Sequence, residues 1–184
     1  MDHSAYDSKG RRKYLNAKES TRFRKKAENL TAGKAAFCLT LYFTGCRISE
    51  CLNLQKTDID LPGKVITFRT LKQRKKETYR RVPIPGSLAL RLKILIAETK
   101  TDKLWTFSRT TGWRIVKDVM AEAKITGIHA VPKGLRHGFG VRAALAKIPV
   151  TVIQKIMGHA DLSNTAIYLD VKDEEERKLI SRTW

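Results

Sequence analysis

The residues whose side chains are best suited to take part in a reaction lie between Pro132 and Asp170. They carry an ammonium, a guanidinium, an imidazole and a phenol, on Lys133, Arg136, His159 and Tyr168. A guanidinium fork matches the oxygens of a phosphate, and a phenol can act as a nucleophile. Arg47, in the segment TGCRISE, lies far upstream and can be brought to the same place by folding. Together these residue types indicate a site that handles a phosphodiester without carboxylates or metal ligands.

Taken one at a time, these residues carry little information. A single histidine near a helix start is more often structural than catalytic, and a tyrosine with apolar neighbours, such as Tyr168, is more often part of a core. Lys133 and Arg136 are three positions apart and share one helical face, which alone indicates only a basic helix. His137 is predicted to point away from that face. The functional interpretation therefore depends on the whole set.

The charge of the chain narrows the class of partner. Its 184 residues hold 37 Lys and Arg against 18 Asp and Glu, a net charge of +19, while 42% hydrophobic residues suffice for a core. Such an excess favours a polyanion as partner, with nucleic acid ahead of a membrane surface. We find neither an apolar run long enough to span a bilayer nor a signal peptide. The sequence predicts a cytoplasmic protein with no membrane association.

Three cysteines, Cys38, Cys46 and Cys51, lie close together in predicted helical sequence. An odd number without a disulfide framework is typical of reduced thiols in the cytosol. No pair of histidines with ligand spacing accompanies them, so we predict small core residues and no metal or other cofactor.

The N-terminal helices are expected to position Arg47. Asn16 and Glu19 form a capping-box pattern that predicts a helix start. Residues 31–44 form a helix that is apolar on nearly all sides and is therefore predicted to be central and buried. Gly45 ends it, and Arg47 opens the next helix, 48–54, with Glu50 three residues on as a brace.

A β-hairpin is predicted from residues 64–69 and 79–84, which are rich in β-branched and aromatic residues. The polar, basic stretch 70–78 between them is its tip. The strong positive charge of the chain favours the interpretation that this tip is a loop facing DNA. The hairpin side chains predicted to contact DNA are Arg69, Arg74, Lys75, Lys76 and Arg80. Lys72, near the end of the first strand, is better anchored than Lys75 or Lys76.

The rest of the chain is predicted to be mainly helical, so the fold class is α+β with one small antiparallel sheet. The predicted helices are 87–97, 109–124, 133–146, 150–157, 163–169 (capped by Ser163) and 173–182. Trp113 is predicted to be a core residue, with stacking on DNA as the alternative. Residues 1–13 are predicted to be a flexible basic arm, and 14–184 a single domain.

These motifs resemble those of the tyrosine recombinase, or phage integrase, family. TGCRISE, the basic hairpin ending in RRVPIP, then KGLRH, GH and Tyr168 stand in the order and spacing of that family. Arg136 and His159 are 23 residues apart, and His159 and Tyr168 are nine apart. The resemblance covers about Leu15 to Asp170 and is specific because five separated elements agree.

The resemblance implies a function. Tyr168 would attack a DNA phosphodiester and form a 3′-phosphotyrosyl link, releasing a 5′-hydroxyl, while Arg47 and Arg136 grip the phosphate oxygens. Lys72 would be the general acid for the departing oxygen, with Lys75 and Lys76 as alternatives. His159 would hydrogen-bond the phosphate or assist Tyr168, and Glu50 would occupy a supporting acidic position. Neither a metal nor ATP is required.

Two departures from the family pattern stand out. Lys133 occupies the catalytic position where the family most often has histidine. Lysine is an occasional family alternative that can still donate to a phosphate, and its role as phosphate donor or as general base for Tyr168 stays open. Most relatives also carry an N-terminal clamp domain that is not seen here, so the chain is either a fragment or similar to single-domain members such as the fimbrial phase-switch recombinases. The resemblance implies a protein encoded by a prokaryote, phage or mobile element. Its implied partner is double-stranded DNA, bound as a tetramer by a protein that is monomeric in solution. The alternatives are a type IB topoisomerase-like strand-passage enzyme and a catalytically silent DNA-binding protein of the same fold.

Overall fold

The fold is mainly helical, with one three-stranded sheet at its edge. A computed structural model describes residues 4–70, 78–169 and 181. In these ranges the helices are α1 (Ala17–Glu28), α2 (Ala32–Thr44), α3 (Ile48–Leu52), α4 (Gly86–Glu98), α5 (Arg109–Glu122), α6 (Pro132–Leu145), α7 (Val150–Met157) and α8 (Ser163–Ala166). The strands are β1 (Ile59–Asp60), β2 (Val65–Thr70) and β3 (Thr78–Pro83). The predicted mainly helical α+β class is confirmed.

Helix α2 is the central element. It is buried on nearly all sides and contacts α1, α4, α5 and α6. It ends at Gly45, whose left-handed φ of 61° suits a residue without a Cβ. The buried cluster around it, which includes Phe37 and Leu92, is called the large core below. Both the predicted burial of this helix and its end at Gly45 are confirmed.

Local signals also determine other helix ends. Asn16 and Glu19 form the predicted capping box at the start of α1. Pro132 is the first residue of α6, where a missing N–H costs nothing. Gly158, with φ 66°, ends α7.

The sheet has the order β1–β2–β3, and both pairings are antiparallel. Phe68 pairs with Arg80 in the β2–β3 register, so the two predicted hairpin strands are confirmed. β1 was not predicted, since it is only two residues long. The predicted basic tip lies largely outside the described residues.

A second, smaller cluster, here called the small core, lies where α6, α7 and α8 meet the N-terminal segment. Its buried members are Ala5, Tyr14, Val141, Ala143, Ile153, Met157, Ile167 and Tyr168. Residues 4–13 fold back onto the domain in place of the predicted flexible arm: Tyr6 bridges to Arg12, and the Lys13 amide donates to the Ala5 carbonyl at 2.8 Å. Burial of Ala5 and Tyr14 holds this segment down.

Some predicted details differ from the structure. Trp113, predicted to be a core residue, is 44% exposed, because the buried stripe of α5 is formed by its other apolar residues. Ser163 is the first residue of α8 rather than its cap, and that helix ends at Ala166. The predicted helix 173–182 lies, apart from Ser181, outside the described residues. The three cysteines are buried and free, as predicted.

Of the helices within the described ranges, none is both long and apolar enough to cross a membrane.

Candidate active site

Folding brings the predicted site residues to one cleft. The cleft has a volume of about 880 Å³ and is lined by Arg47, Lys133, Arg136, His159 and Tyr168. It also receives residues that the sequence did not single out for this place: Lys13, Arg109, Trp113 and His137. Arg47 thus lies on the same cleft as Tyr168, although the chain separates the two by more than a hundred residues.

Arg47 is held by Glu50. Its amide donates to Glu50 Oε2 at 2.8 Å and its Nη1 to Oε1 at 2.9 Å, while Nη2 lies 3.5 Å from the Gly158 carbonyl. Arg47 keeps 29% of its side chain exposed toward the cleft, whereas the Glu50 side chain is 1% exposed. Burial alone would raise the pKa of Glu50, but the hydrogen bonds and charge of Arg80, then Arg47, outweigh it and lower that pKa. The carboxylate therefore stays ionised beneath the cleft.

Arg80 does not occupy the DNA-facing position predicted for it. It is buried, 6% exposed, with Nη2 2.7 Å from Glu50 Oε2 and Nε donating to the Ile156 carbonyl at 2.9 Å. Its guanidinium also lies over the ring of Phe68, at 4.8 Å. The prediction of a DNA contact is wrong for this residue, because a core carboxylate and a backbone carbonyl already engage its head. Arg80 instead supports the carboxylate that holds Arg47.

Arg136 joins two helix ends. Nη1 donates to the Gly45 carbonyl at 2.6 Å and Nη2 to the Met157 carbonyl at 2.8 Å. These oxygens lie at the carboxyl ends of α2 and α7, where a cation is favourable. Burial and then the neighbouring charge of Arg47 lower the pKa of Arg136 to about 10, so it stays charged at neutral pH. Two fixed bonds leave further N–H groups of the fork for a phosphate.

Tyr168 is embedded in the small core and is 2% exposed. Its ring lies against Gly140 of α6, where a Cβ would be well inside contact distance of three ring carbons. Burial raises the pKa of Tyr168 to about 12, although Arg136 and Arg47 act in the opposite direction. The phenol is therefore protonated at neutral pH.

His159 follows the end of α7 and is oriented by Thr165. Its Nδ1 lies 2.8 Å from the Thr165 hydroxyl, and its ring is stacked on that of Tyr168 with centroids 6.3 Å apart. Burial, then the charges of Arg136 and Arg47, lower the pKa of His159 to about 3. The imidazole is neutral, so the group at Nδ1 decides which nitrogen carries the proton.

His137 was predicted to point away from the site, yet its Nδ1 lies 2.9 Å from the Tyr168 hydroxyl. His137 and Arg136 do lie on different faces of α6, as predicted. The prediction failed because Tyr168 arrives from 31 residues further on. No local signal in the sequence marks this contact.

Of the remaining predicted residues, some are described by the structure and others are not. Lys133 is exposed on the first turn of α6, and Arg69 is exposed on β2. The general-acid candidate Lys72 and its neighbours Arg74, Lys75 and Lys76 lie outside the described residues. Among the residues that are described, no three His, Cys, Asp or Glu side chains come together in a way that could hold a metal ion.

Comparison with known proteins agrees with this geometry. The sequence matches the phage integrase family over residues 13–175, which includes every cleft residue from Lys13 to Tyr168. The chain belongs to the phage integrase family. This assignment confirms the resemblance inferred from the spaced motifs.

Two phage integrase relatives show how far the likeness extends. The tyrosine recombinase XerA of Pyrococcus furiosus is 33% identical over 155 residues, covering 78% of this chain and 52% of that protein. The crystal structure of a XerA recombinase has a TM-score of 0.77 at 26% identity, covering 92% of this chain and 64% of that one. The chain spans about half the length of the Pyrococcus furiosus protein and of other curated relatives that it matches.

A third likeness concerns the fold alone. XerH recombinase, in a structure bound to its difH substrate before cleavage, has a TM-score of 0.76 at 18% identity and covers 96% of this chain and 59% of that one.

Proposed function

We propose that this chain is the catalytic unit of a site-specific recombinase that breaks and rejoins double-stranded DNA through a 3′-phosphotyrosyl intermediate. The observation that carries the proposal is the convergence of Arg47, Arg136, His159 and Tyr168 on one cleft. A phenol between two arginines and a neutral imidazole suits transfer of a phosphoryl group to the phenol. Membership of the phage integrase family supports the same reaction.

The two arginines bind and polarise the scissile phosphate. Their heads are fixed by a carboxylate and by backbone carbonyls before DNA arrives, so little reorganisation accompanies the reaction. His159, neutral and oriented by Thr165, donates a hydrogen bond to a phosphate oxygen. Glu50 acts on the reaction through Arg47.

The leaving 5′-oxygen needs a proton, and we assign its delivery to Lys72, with Lys75 and Lys76 as alternatives. Lys133 adds a positive charge at the rim of the cleft, where the family most often has histidine. The bond energy of the cleaved phosphodiester is kept in the phosphotyrosine, so rejoining needs neither ATP nor a metal.

The proposed partner is double-stranded DNA, for which the net charge of +19 provides long-range attraction. The Tn1549 transposon integrase, a neighbour in fold, forms a complex with transposon right end DNA, which supports this choice. Arg69 and the basic hairpin tip contribute contacts to the phosphate backbone. We further propose that the chain is a monomer in solution and acts as a tetramer on paired DNA sites.

A nicked suicide substrate tests the proposal directly, because loss of the short strand traps the covalent complex. Wild type is expected to form a protein–DNA adduct that resists denaturation, and Tyr168→Phe none. EDTA is expected to leave the yield unchanged. An undiminished adduct in Tyr168→Phe would mean that another residue is the nucleophile.

The same assay separates the alternatives. A catalytically silent DNA-binding protein would shift the DNA in a gel and form no adduct with wild type. A type IB topoisomerase-like enzyme would relax supercoiled DNA that lacks paired recombination sites, whereas a recombinase exchanges strands only between such sites.

A further inference from the structure

The hydroxyl of Tyr168 has one hydrogen-bond partner among the described residues, and that partner is His137. The Nδ1 to Oη distance is 2.9 Å, and the two rings lie 5.9 Å apart at 60°. The other ring nitrogen of His137, Nε2, is buried without a hydrogen-bond partner among the described residues. A nucleophile within hydrogen-bond reach of a histidine is the geometry that general-base catalysis requires.

The direction of this hydrogen bond matters. If Nδ1 accepts, the phenol O–H donates a hydrogen bond to His137, and the lone pairs of Oη stay available for an incoming phosphorus. If Nδ1 donates, the phenol proton has no described acceptor. The first arrangement satisfies the hydroxyl donor, so we assign the proton of the neutral ring to Nε2.

The charges around His137 keep its acceptor lone pair available. Burial, then Lys133, Arg136 and Lys13, lower the pKa of His137 to about 4 in the absence of DNA. A base must be unprotonated before the reaction, and here it is so throughout the neutral range. The charged and titratable groups that face His137 are Lys13 from the N-terminal segment, Lys133 and Arg136 from α6, His159 after α7, and Tyr168 after α8.

Entry of the substrate changes this balance. A phosphodiester carries one negative charge, and the cleft that admits it is lined by Lys13, Lys133 and Arg136. Its charge offsets those cations, which add to burial in keeping His137 neutral. His137 therefore becomes a stronger base when DNA is bound.

We propose that His137 is the catalytic residue that takes the proton of Tyr168 as Oη attacks the scissile phosphorus. This inference rests on the proposed function. The Oη–phosphorus bond forms, the phenol proton passes to Nδ1 of His137, and the phosphorus–5′-oxygen bond breaks. The leaving oxygen takes up one proton, so the protons lost and gained are equal and no co-reactant is needed. Lys133 tunes the basicity of His137 and is not the base.

The test is the pH dependence of adduct formation in single turnover. A substrate with sulfur in place of the bridging 5′-oxygen is used, because a thiolate leaves without a general acid and only activation of Tyr168 remains. His137→Asn retains an acceptor near the Nδ1 position but cannot take a proton. We expect its rate at neutral pH to fall by about 10²–10³. We also expect it to lose the plateau that wild type reaches above the pKa of His137, so that its rate rises with pH over the whole range until the phenol ionises.

Lys133→Met is the comparison variant. Removing this cation makes protonation of His137 easier, so the plateau should remain and begin at higher pH. If Lys133→Met abolishes the plateau, or if His137→Asn keeps the wild-type rate or the wild-type profile, His137 is not the base and the proposal is wrong. His137→Gln gives the same measurement if the asparagine variant loses its cooperative thermal unfolding.

The two proposals fail in different ways. If wild type forms no adduct with any substrate, the recombinase function fails and this inference falls with it. If wild type forms the adduct and Tyr168→Phe does not, while His137→Asn behaves as wild type, only the assignment of His137 is wrong.

Discussion

The two halves of the cleft are built differently. The arginine side, consisting of Arg47, Glu50, Arg80 and Arg136, is charged and multiply bonded, and three of its four residues share one ion-pair network. The tyrosine side, consisting of His137, His159, Thr165 and Tyr168, is neutral and is linked by single hydrogen bonds. The groups that bind phosphate are thus fixed in advance, while the nucleophile rests in a protonated form.

The supports of the two sides differ as well. α3, which carries Glu50, packs against α2, α5 and β2 of the large core. Tyr168 belongs to the small core and directly follows α8, a helix of four residues. Removing the buried charge of Glu50 on the arginine side should therefore affect folding as well as catalysis, whereas removing a hydrogen-bonding group of the tyrosine side should affect mainly catalysis.

Glu50→Gln should produce the largest loss. The buried carboxylate lies between Arg47 and Arg80, and removing its charge leaves the buried Arg80 without its counter-ion. Breaking such a pair costs about 3–5 kcal/mol of unfolding free energy. Urea denaturation of wild type and the variant measures this loss of unfolding free energy. The matched control is Asp60→Asn, which breaks the exposed pair of Asp60 with Arg81, the residue next to Arg80 on β3. This change should lower the unfolding free energy by less than about 1 kcal/mol. Equal losses would contradict the special role of the buried network.

The same pair predicts a pH dependence. The folded-state pKa of Glu50 is lower than its ordinary value of 4.5. The stability that it contributes is therefore fully present above that ordinary value and is lost as the pH falls through the folded-state pKa. The difference in unfolding free energy between wild type and Glu50→Gln should shrink at acid pH. A difference that stays constant down to acid unfolding would show that the carboxylate's charge is not the cause.

Arg47→Ala should separate catalysis from folding on the arginine side. Its side chain is partly exposed, and Glu50 keeps Arg80 as a partner, so the fold should survive. Loss of one preorganised donor to a reacting phosphate costs about 10²–10³ in rate. Single-turnover adduct formation measures it, and a gel shift should show DNA binding largely intact. Arg81→Ala removes an exposed arginine and is expected to retain the wild-type rate. A variant that loses binding but keeps residual cleavage would make Arg47 a positioning contact.

Sequence alone predicted the features that depend on neighbours along the chain. The capping box of Asn16 with Glu19 and the helix end at Gly45 were recognised because a cap or a chain break acts within one helical turn. The hairpin strands followed from β-branched content. The cleft residues became a set only through the spacing of family motifs, since composition and periodicity say nothing about convergence.

Contacts between distant segments could not be predicted. Arg80 looked like a surface charge because its carboxylate partner lies 30 residues earlier. His137 was placed on the wrong side of the site because helical spacing relates it to Arg136 and not to Tyr168. Trp113 seemed a core residue because size and apolar character do not reveal which side of a helix faces a cleft. For Arg80 and His137 the deciding partner belongs to another segment of the chain.

Gly140→Ala tests whether Tyr168 is positioned by its close approach to α6. A Cβ at this position collides with the tyrosine ring, so the ring must shift or the helix must move. Overpacking of this kind costs about 1–3 kcal/mol, and we expect slower adduct formation with unchanged DNA binding. Gly33→Ala in α2 is the matched control, because the nearest atom to its added Cβ is 3.8 Å away. If both variants cleave at the wild-type rate, the position of Tyr168 does not depend on this contact.

Thr165→Val should have the smallest effect and concerns the tautomer of His159. With the Thr165 hydroxyl donating to Nδ1, the proton of the neutral ring lies on Nε2, from which it can be donated to a phosphate. Valine leaves both tautomers accessible, so part of the protein still presents the correct donor. We expect a fall in adduct rate of about tenfold, the worth of roughly one hydrogen bond, and recovery in Thr165→Ser. Recovery in serine would separate the hydroxyl from the packing of this buried side chain. A wild-type rate in valine would mean that the phosphate itself selects the tautomer, and the tyrosine side would then be less preorganised than its geometry indicates.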